Sequence, residues 1–195
     1  MALSLDAAAR AQILEFVRPL SVGLDGVTNF GFVERRIRIS EFLEGEETGG
    51  GADSARLFLL AAFAGLPSAR RITSDGRESL LLRSLRIPPE EISRLSSSVS
   101  RLEAAPETPE ERIVHDAMLL ESVGAYGVTR LLVAGVRERL TLAEMAREIA
   151  EKMRSAHFAT EAGRRLAADR VAFAALFARK LAEEAGEFEA APSPG

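Results

Sequence analysis

The chain of 195 residues has no cysteine and no tryptophan, and its histidines are His115 and His157. The absence of cysteine excludes thiol nucleophiles, thiolate metal sites and disulfides. Lysine is also scarce, because Lys152 and Lys180 are the only two among 25 basic residues. Such a preference for arginine is typical of genes from high-GC bacteria, so we expect a bacterial protein.

The charge balance argues against two classes of partner. The formal net charge is −4, which gives no general attraction to nucleic acid or to an anionic membrane. No apolar run approaches the roughly 20 residues that span a bilayer. The N-terminal stretch carries Asp6, Arg10 and Glu15, so it lacks the uninterrupted apolar core of a signal peptide. We therefore expect a cytoplasmic protein that binds neither nucleic acid nor membrane.

The apolar residues recur at intervals of three and four, as in Leu57, Leu60, Ala61 and Ala64, and strand-like alternation is hard to find. This spacing is typical of helices that bury one face. The sequence therefore predicts an all-α fold. The predicted helices span about 5–18, 28–43, 53–64, 76–86, 89–103, 109–122, 124–136, 141–155 and 158–185.

Three of these helices begin with capping signals. Asp53 precedes an apolar run, where its carboxylate can accept hydrogen bonds from the first backbone amides. Thr108 with Glu111, and Thr141 with Glu144, have the three-residue spacing of a capping box. These signals predict where the helices start.

The length predicts one domain, since about 150 residues make an average domain. We assign this domain to residues 1–185. The acidic, glycine-rich stretch 44–52 predicts a flexible loop within it. The tail 186–195 is rich in Pro, Ala and Glu and has too little apolar surface to order itself, so we expect disorder there.

Residues 113–130 read IVHDAMLLESVGAYGVTR. This segment resembles the last metal-ligand motif of HD-domain phosphohydrolases, in the bacterial branch where an Asp-Ala-Asp-x-Leu-Asp helix runs into Gly-Ala-x-Gly-Ile-x-Arg. Asp116 matches the family's final metal-binding Asp and Glu121 its downstream acid, whereas Met118 departs from the family's second Asp. The helix junction is matched by Gly124, Ala125, Gly127 and Arg130. The resemblance implies an HD-domain-like helical bundle.

Two upstream segments resemble the family's other ligand motifs but lack the ligands. Residues 31–35, GFVER, resemble its His-Val-x-Arg helix, and residues 59–65, LLAAFAG, resemble its Leu-Leu-His-Asp-Ile-Gly helix. In this alignment Phe32 replaces the first His, and Ala62 and Phe63 replace the His-Asp pair. Active members use the bound metal to activate a water molecule for attack on phosphorus.

These departures decide the expected function. Sites of this kind need three or more protein ligands, and phenylalanine and alanine offer none, so Asp116 is left as a vestige. We expect no cofactor and no catalytic residues. The leading hypothesis is a catalytically inactive HD-domain-like protein that acts as a binding or regulatory module, with another protein or a second copy of itself as partner.

An active enzyme is the alternative. It requires a site rebuilt around Asp116, His115 and Glu121 that holds a divalent metal ion and hydrolyses a phosphorylated small molecule. The structural interpretation is that His115 packs on a helix face and that Asp116 pairs with Arg35 or Arg36.

Two further sites are conceivable. The degenerate pocket of Phe32, Ala62, Phe63 and Asp116 offers aromatic surface to an apolar molecule. The polar segment 67–77 holds three arginines that form a candidate anion-binding site. These arginines are Arg70, Arg71 and Arg77.

Overall fold

The computed structural model describes residues 3–21, 30–47, 51–66, 72–73 and 75–186. Over these ranges the chain forms nine helices and no strand, which confirms the all-α prediction. The helices are α1 (Ala7–Leu20), α2 (Phe30–Glu46), α3 (Ser54–Phe63), α4 (Arg77–Ser84), α5 (Pro89–Arg101), α6 (Pro109–Leu120), α7 (Gly124–Arg137), α8 (Leu142–Ser155) and α9 (Glu161–Gly186).

The capping predictions are confirmed where α3, α6 and α8 begin. The Asp53 carboxylate accepts from the amides of Ala55 and Arg56 at 3.0 and 3.1 Å. Thr141 and Glu144 form a complete capping box at α8. At α6, Glu111 N–H donates to the Thr108 hydroxyl at 3.3 Å. Local sequence thus fixes where these helices start.

Two helices extend further than the sequence predicts, so the irregular segments that follow them begin later. Residues 44–46 were expected in a loop but continue α2 to Glu46, and Gly186 was expected in the tail but ends α9. Glu44 is held at the helix end by the Ser54 hydroxyl, which donates to its carboxylate at 2.8 Å. Residues 48–50 of the loop and 187–195 of the tail lie outside the described residues.

The chain divides into two compact units. Unit 1 comprises Met1–Ala117 with Ala159–Ala162, and unit 2 comprises Met118–Phe158 with Gly163–Gly195. The assignment of residues 1–185 to a single domain stays a prediction. Across the described part of the chain, no single helix is long and apolar enough to cross a membrane, and α6 and α7 reach that threshold only as a bent pair.

Helix α3 is the centre of unit 1. Every residue from Leu57 to Ala64 is buried, because α1, α2 and α5 all pack against this helix. A helix that is apolar on all sides is stable only when it is enclosed in this way. Ala62 and Phe63, which the resemblance aligns with a His-Asp pair, therefore lie on an enclosed helix.

In unit 2 the junction between α6 and α7 is built on glycine. Gly124 has a φ of +70°, a conformation that favours glycine. At Gly127 a Cβ atom would lie 2.2 Å from the backbone carbonyl carbon of Ser122. Gly124 is thus favoured by its backbone conformation, and Gly127 is required by the close approach of backbone to backbone.

A buried carboxylate ties α5 to the start of α6 in unit 1. Glu111 is fully buried and accepts from the Arg101 guanidinium at 2.5 Å and from the Glu107 amide at 2.7 Å. Burial by itself would raise the pKa of Glu111. Hydrogen bonds from Arg101, Ser98 and the amides of Glu107 and Thr108 outweigh burial, and the pKa of Glu111 is lowered from its ordinary value.

We expect this carboxylate to make stability depend on pH. Because the pKa of Glu111 is lowered on folding, its contribution is complete above the unfolded value of about 4.3 and is lost as the pH falls through the folded pKa. Glu111→Gln should lower the free energy of unfolding by about 2 kcal/mol at pH 7, and this deficit should shrink below about pH 4. Urea denaturation at stepped pH measures both quantities. The exposed Glu138→Gln is the charge-matched control, and equal pH profiles for the two variants would contradict the assignment.

Candidate functional site

The positions that the resemblance predicts as former metal ligands lie on three helices of unit 1. Phe32 is on α2, Ala62 and Phe63 are on α3, and Asp116 is on α6. All four are buried, with exposed fractions of 5, 0, 0 and 0% respectively. Phe63 also contacts Phe16 of α1, with ring centroids 6.5 Å apart. The positions expected to have lost their ligands thus hold enclosed apolar side chains.

The Asp116 carboxylate accepts three hydrogen bonds from the segment that precedes α9. Its Oδ1 accepts from the Ala159 amide at 2.8 Å. Its Oδ2 accepts from the Thr160 amide at 2.8 Å and from the Thr160 hydroxyl at 2.6 Å. Both lone pairs of Oδ2 are therefore in use, and the carboxylate is satisfied without an arginine.

A second acid, Glu47, accepts a hydrogen bond close to the residues that Asp116 binds. Glu47, which follows α2, accepts from the Ala162 amide at 2.7 Å. The first amides of a helix lack partners within the helix, and carboxylates near this end also meet the positive end of its dipole. Glu47 therefore caps the first turn of α9, and Asp116 anchors the two residues that precede this helix, both from positions far away in the sequence.

The residues at the four predicted ligand positions do not fit a divalent metal ion. Phe32, Ala62 and Phe63 carry no lone pair, and the carboxylate already accepts three hydrogen bonds inside the protein. Within the described ranges there is no group of three or more His, Asp or Glu side chains that would hold a metal ion. Sites with fewer protein ligands bind metal poorly in competition with water.

His115 and Asp116 are neighbours on α6 and bind different parts of unit 1. His115 Nδ1 lies 2.6 Å from the Leu102 carbonyl oxygen, and because a carbonyl only accepts, Nδ1 carries the proton. Glu121 is buried, and its backbone carbonyl accepts from the Arg130 guanidinium at 3.3 Å. His115 thus packs at a helix face, as its structural interpretation predicts.

Arg36, one of the two arginines predicted beside Asp116, contacts a helix end instead. The buried Arg36 guanidinium donates to the Ala64 carbonyl at the end of α3. Gly65 follows with a φ of +73°, and a Cβ atom there would lie 3.4 Å from Arg36 Nη2. The predicted pairing of Asp116 with Arg36 is therefore wrong. The Asp116 carboxylate accepts from backbone amides, and the Arg36 guanidinium donates to the last turn of α3.

The candidate anion site in segment 67–77 is described only at Arg77, because Arg70 and Arg71 lie outside the described residues. Arg77 is the first residue of α4, and its guanidinium carbon lies 5.8 Å from the centre of the Phe16 ring. A cation over an aromatic face is stabilised by the ring quadrupole. Arg77 thus has a packing role on α1.

Unit 1 also has a pocket that the sequence did not indicate. It has a volume of about 310 Å³ and lies between α3, α5 and the start of α6. Its lining consists of Gly51, Arg56, Leu59, Leu60, Glu91, Arg94, Leu95, Ser98, Thr108, Pro109 and Glu110. These residues come from three separate stretches of sequence, and each stretch alone has the pattern of an ordinary helix. We call this feature the α3–α5 pocket.

Comparison with known proteins identifies the fold and no family. No family model and no curated protein matches the chain. The Lin1889 protein of Listeria innocua shares 18% identity with a TM-score of 0.72, over 93% of this chain and 98% of that one. A Lactobacillus plantarum protein shares 14% identity with a TM-score of 0.72, over 94% and 100% of the two chains.

Bacillus subtilis YpgQ is a further neighbour. It shares 18% identity with a TM-score of 0.69, over 94% of this chain and 97% of that one. YpgQ has also been crystallised in complex with ADP, and that structure gives a TM-score of 0.66. At these identities the comparisons establish that the helical fold is shared with bacterial proteins over nearly the whole chain.

Proposed function

We propose that the chain is an HD-domain-like protein that has lost its catalytic metal centre and acts in the bacterial cytoplasm as a binding or regulatory module. The observation that carries the proposal is the use of Asp116. Its carboxylate is fully buried and accepts three hydrogen bonds from residues 159 and 160. The last ligand of the ancestral site has become a structural anchor for the segment before α9.

The replacements at the other positions support the same conclusion. Phe63 fills its position with a ring that packs on Phe16, and Ala62 is completely enclosed. Three of the four lone pairs of the Asp116 carboxylate already accept hydrogen bonds, so one lone pair, on Oδ1, is left for a metal ion. The fold is retained without this chemistry, so selection for binding is the simplest reason for its retention. A protein or a second copy is the partner we propose, with no nucleic acid and no membrane.

Metal analysis combined with a phosphatase assay tests the proposal. The purified full chain is incubated with Mn²⁺, Zn²⁺ or Mg²⁺, desalted and analysed for metal, and then assayed on nucleoside mono-, di- and triphosphates, ADP included. We expect metal far below one equivalent, and no phosphate release above that of Asp116→Asn and His115→Ala. One equivalent of metal, or turnover that either variant abolishes while remaining folded, would overturn the proposal.

An active phosphohydrolase is the second candidate, because YpgQ shares the fold and was crystallised with ADP. That enzyme would need His115, Asp116 and Glu121 to form a rebuilt site around a divalent ion. His115→Ala and Asp116→Ala would then both remove activity on nucleotides. Under the leading proposal His115→Ala removes the contact with Leu102 and no catalytic step, so its effect falls on stability.

A further inference from the structure

Helix α9 buries its smallest side chains and exposes two large apolar ones. Phe173 and Leu176 are 47 and 48% exposed. In the part of α9 that belongs to unit 2, the buried residues are Gly163, Ala167, Ala174 and Ala178. An amphipathic helix normally turns its large apolar residues toward the core of its own domain. On α9 two side chains that gain much from burial therefore lie on the exposed side.

Four exposed residues form a row on this side of α9. They are Asp169, Phe173, Leu176 and Lys180, separated by four, three and four positions. Alternation of three and four is the spacing of the residues that line the seam between two packed helices. We call these four residues the α9 face.

The α9 face has an apolar centre and opposite charges at its ends. Asp169 precedes the apolar pair by four positions, and Lys180 follows it by four. The order along the helix is acid, aromatic, aliphatic and base. Read in the opposite direction, the same row is base, apolar, apolar and acid, which is its own complement.

A second copy whose α9 runs in the opposite direction fits every position of this face. With a two-fold axis that passes between residues 174 and 175, Asp169 lies opposite the partner's Lys180 at both ends of the contact. Phe173 then lies opposite the partner's Leu176. In a parallel pair each residue would meet its own copy, and like charges would oppose each other at both ends, which is unfavourable. The order of the charges thus selects the antiparallel pair.

The hydrogen bond that Lys180 makes within its own helix leaves room for this contact. Lys180 Nζ donates to the Glu183 carboxylate at 2.8 Å, and the two side chains are 59 and 52% exposed. An exposed pair three residues apart on one helix contributes little to stability, and an ammonium group has three donors. Lys180 can therefore keep Glu183 and also donate to Asp169 of a second copy.

We propose that two copies of the chain associate through the α9 face, with their α9 helices antiparallel. The inference rests on the proposed function and selects a second copy of the chain as the partner. Phe173 and Leu176 supply the affinity, because their contact removes apolar surface from water. Asp169 and Lys180 set the direction of the pair.

Sedimentation equilibrium of the full chain tests the association. We expect a monomer–dimer equilibrium with a dissociation constant of about 100 µM, as for small, transient interfaces. Leu176→Glu should weaken association by about tenfold or more. Ala175→Glu, at an exposed position on another side of α9, is the control and should leave it unchanged. Circular dichroism verifies that each variant remains helical.

Reversal of the two charges tests the direction of the helices. Asp169→Lys alone and Lys180→Asp alone each place like charges opposite each other at both ends of an antiparallel pair. Each should weaken association by about tenfold, whereas the double variant restores opposite charges and should return to within about twofold of the original dissociation constant. In a parallel pair each charge meets its own copy, so the single reversals would have little effect.

Four results would each overturn the inference. They are a chain that is monomeric at about 1 mM, association that Leu176→Glu leaves intact, single charge reversals without effect, and a double variant that does not recover. A chain that dimerises as expected but binds one equivalent of metal or turns over nucleotides refutes the proposed function and retains the α9 face. An inert, metal-free chain that stays monomeric refutes the α9 face alone.

Discussion

Gly127→Ala should lower the free energy of unfolding by about 3 kcal/mol or more, one of the largest effects of any single methyl group in this chain. The added Cβ would lie 2.2 Å from the carbonyl carbon and 2.3 Å from the carbonyl oxygen of Ser122. Both are backbone atoms, so no side-chain rotation relieves the overlap. The start of α7 would have to move. Urea denaturation followed by circular dichroism at 222 nm measures the change.

Two other glycines are matched controls for the added methyl group. At Gly45 of α2 nothing lies within 4 Å of the Cβ position, so Gly45→Ala should be neutral or stabilise by up to about 1 kcal/mol, the difference in helix propensity. At Gly135 the nearest atom is Met145 Cγ at 2.7 Å, in a flexible side chain, so Gly135→Ala should fall between the two. Equal unfolding midpoints for Gly127→Ala and Gly45→Ala would refute the backbone contact.

Asp116→Asn should lower the free energy of unfolding by about 3 kcal/mol. The amide has nearly the shape of the carboxylate, but its NH₂ group would face an N–H or O–H donor of residue 159 or 160 whichever way it turns. Two donors would then oppose each other in a buried place. Asp169→Asn, at an exposed position of α9, is the control and should change stability by less than about 0.5 kcal/mol.

The sign of this effect separates a structural acid from a catalytic one. Active-site groups are commonly held at a cost to stability, so their removal is often neutral or stabilising. A double-mutant cycle of Asp116→Asn with Thr160→Val sharpens the test, because Thr160 donates its hydroxyl to the same carboxylate at 2.6 Å. We expect a coupling energy of about 1 kcal/mol. A more stable Asp116→Asn variant, or zero coupling, would contradict the structural role of Asp116.

The elements that could be predicted from the sequence are those set by local physics. The caps at Asp53 and Thr141 depend on amides two or three residues away, and the helix spacing depends on the burial of one face. Both act over distances that a short stretch of sequence contains. This is why the all-α prediction is confirmed and why the errors fall at helix ends such as Glu46 and Gly186.

The partners of Asp116 could not be predicted for a related reason. The residues that donate to it lie 43 and 44 positions further along, and two of the three donors are backbone amides, which every residue other than proline possesses. The sequence therefore contains nothing to distinguish Ala159 from other residues. Arginine appeared to be the natural partner because only side chains can be recognised in a sequence. The α3–α5 pocket was missed because its three segments meet only in the folded chain.

Asp116 and Glu47, which bind residues 159 to 162, also determine when unit 1 is finished during synthesis. A nascent chain that ends at residue 158 already contains the residues of α6. In that chain Asp116 lacks all three of its donors, and Glu47 lacks the amide of Ala162, 115 residues away. Contacts of such long range form late, because the intervening chain must first be ordered. Completion of the N-terminal unit therefore waits for four residues near the other end of the chain, and a ribosome that pauses before them holds an unfinished core.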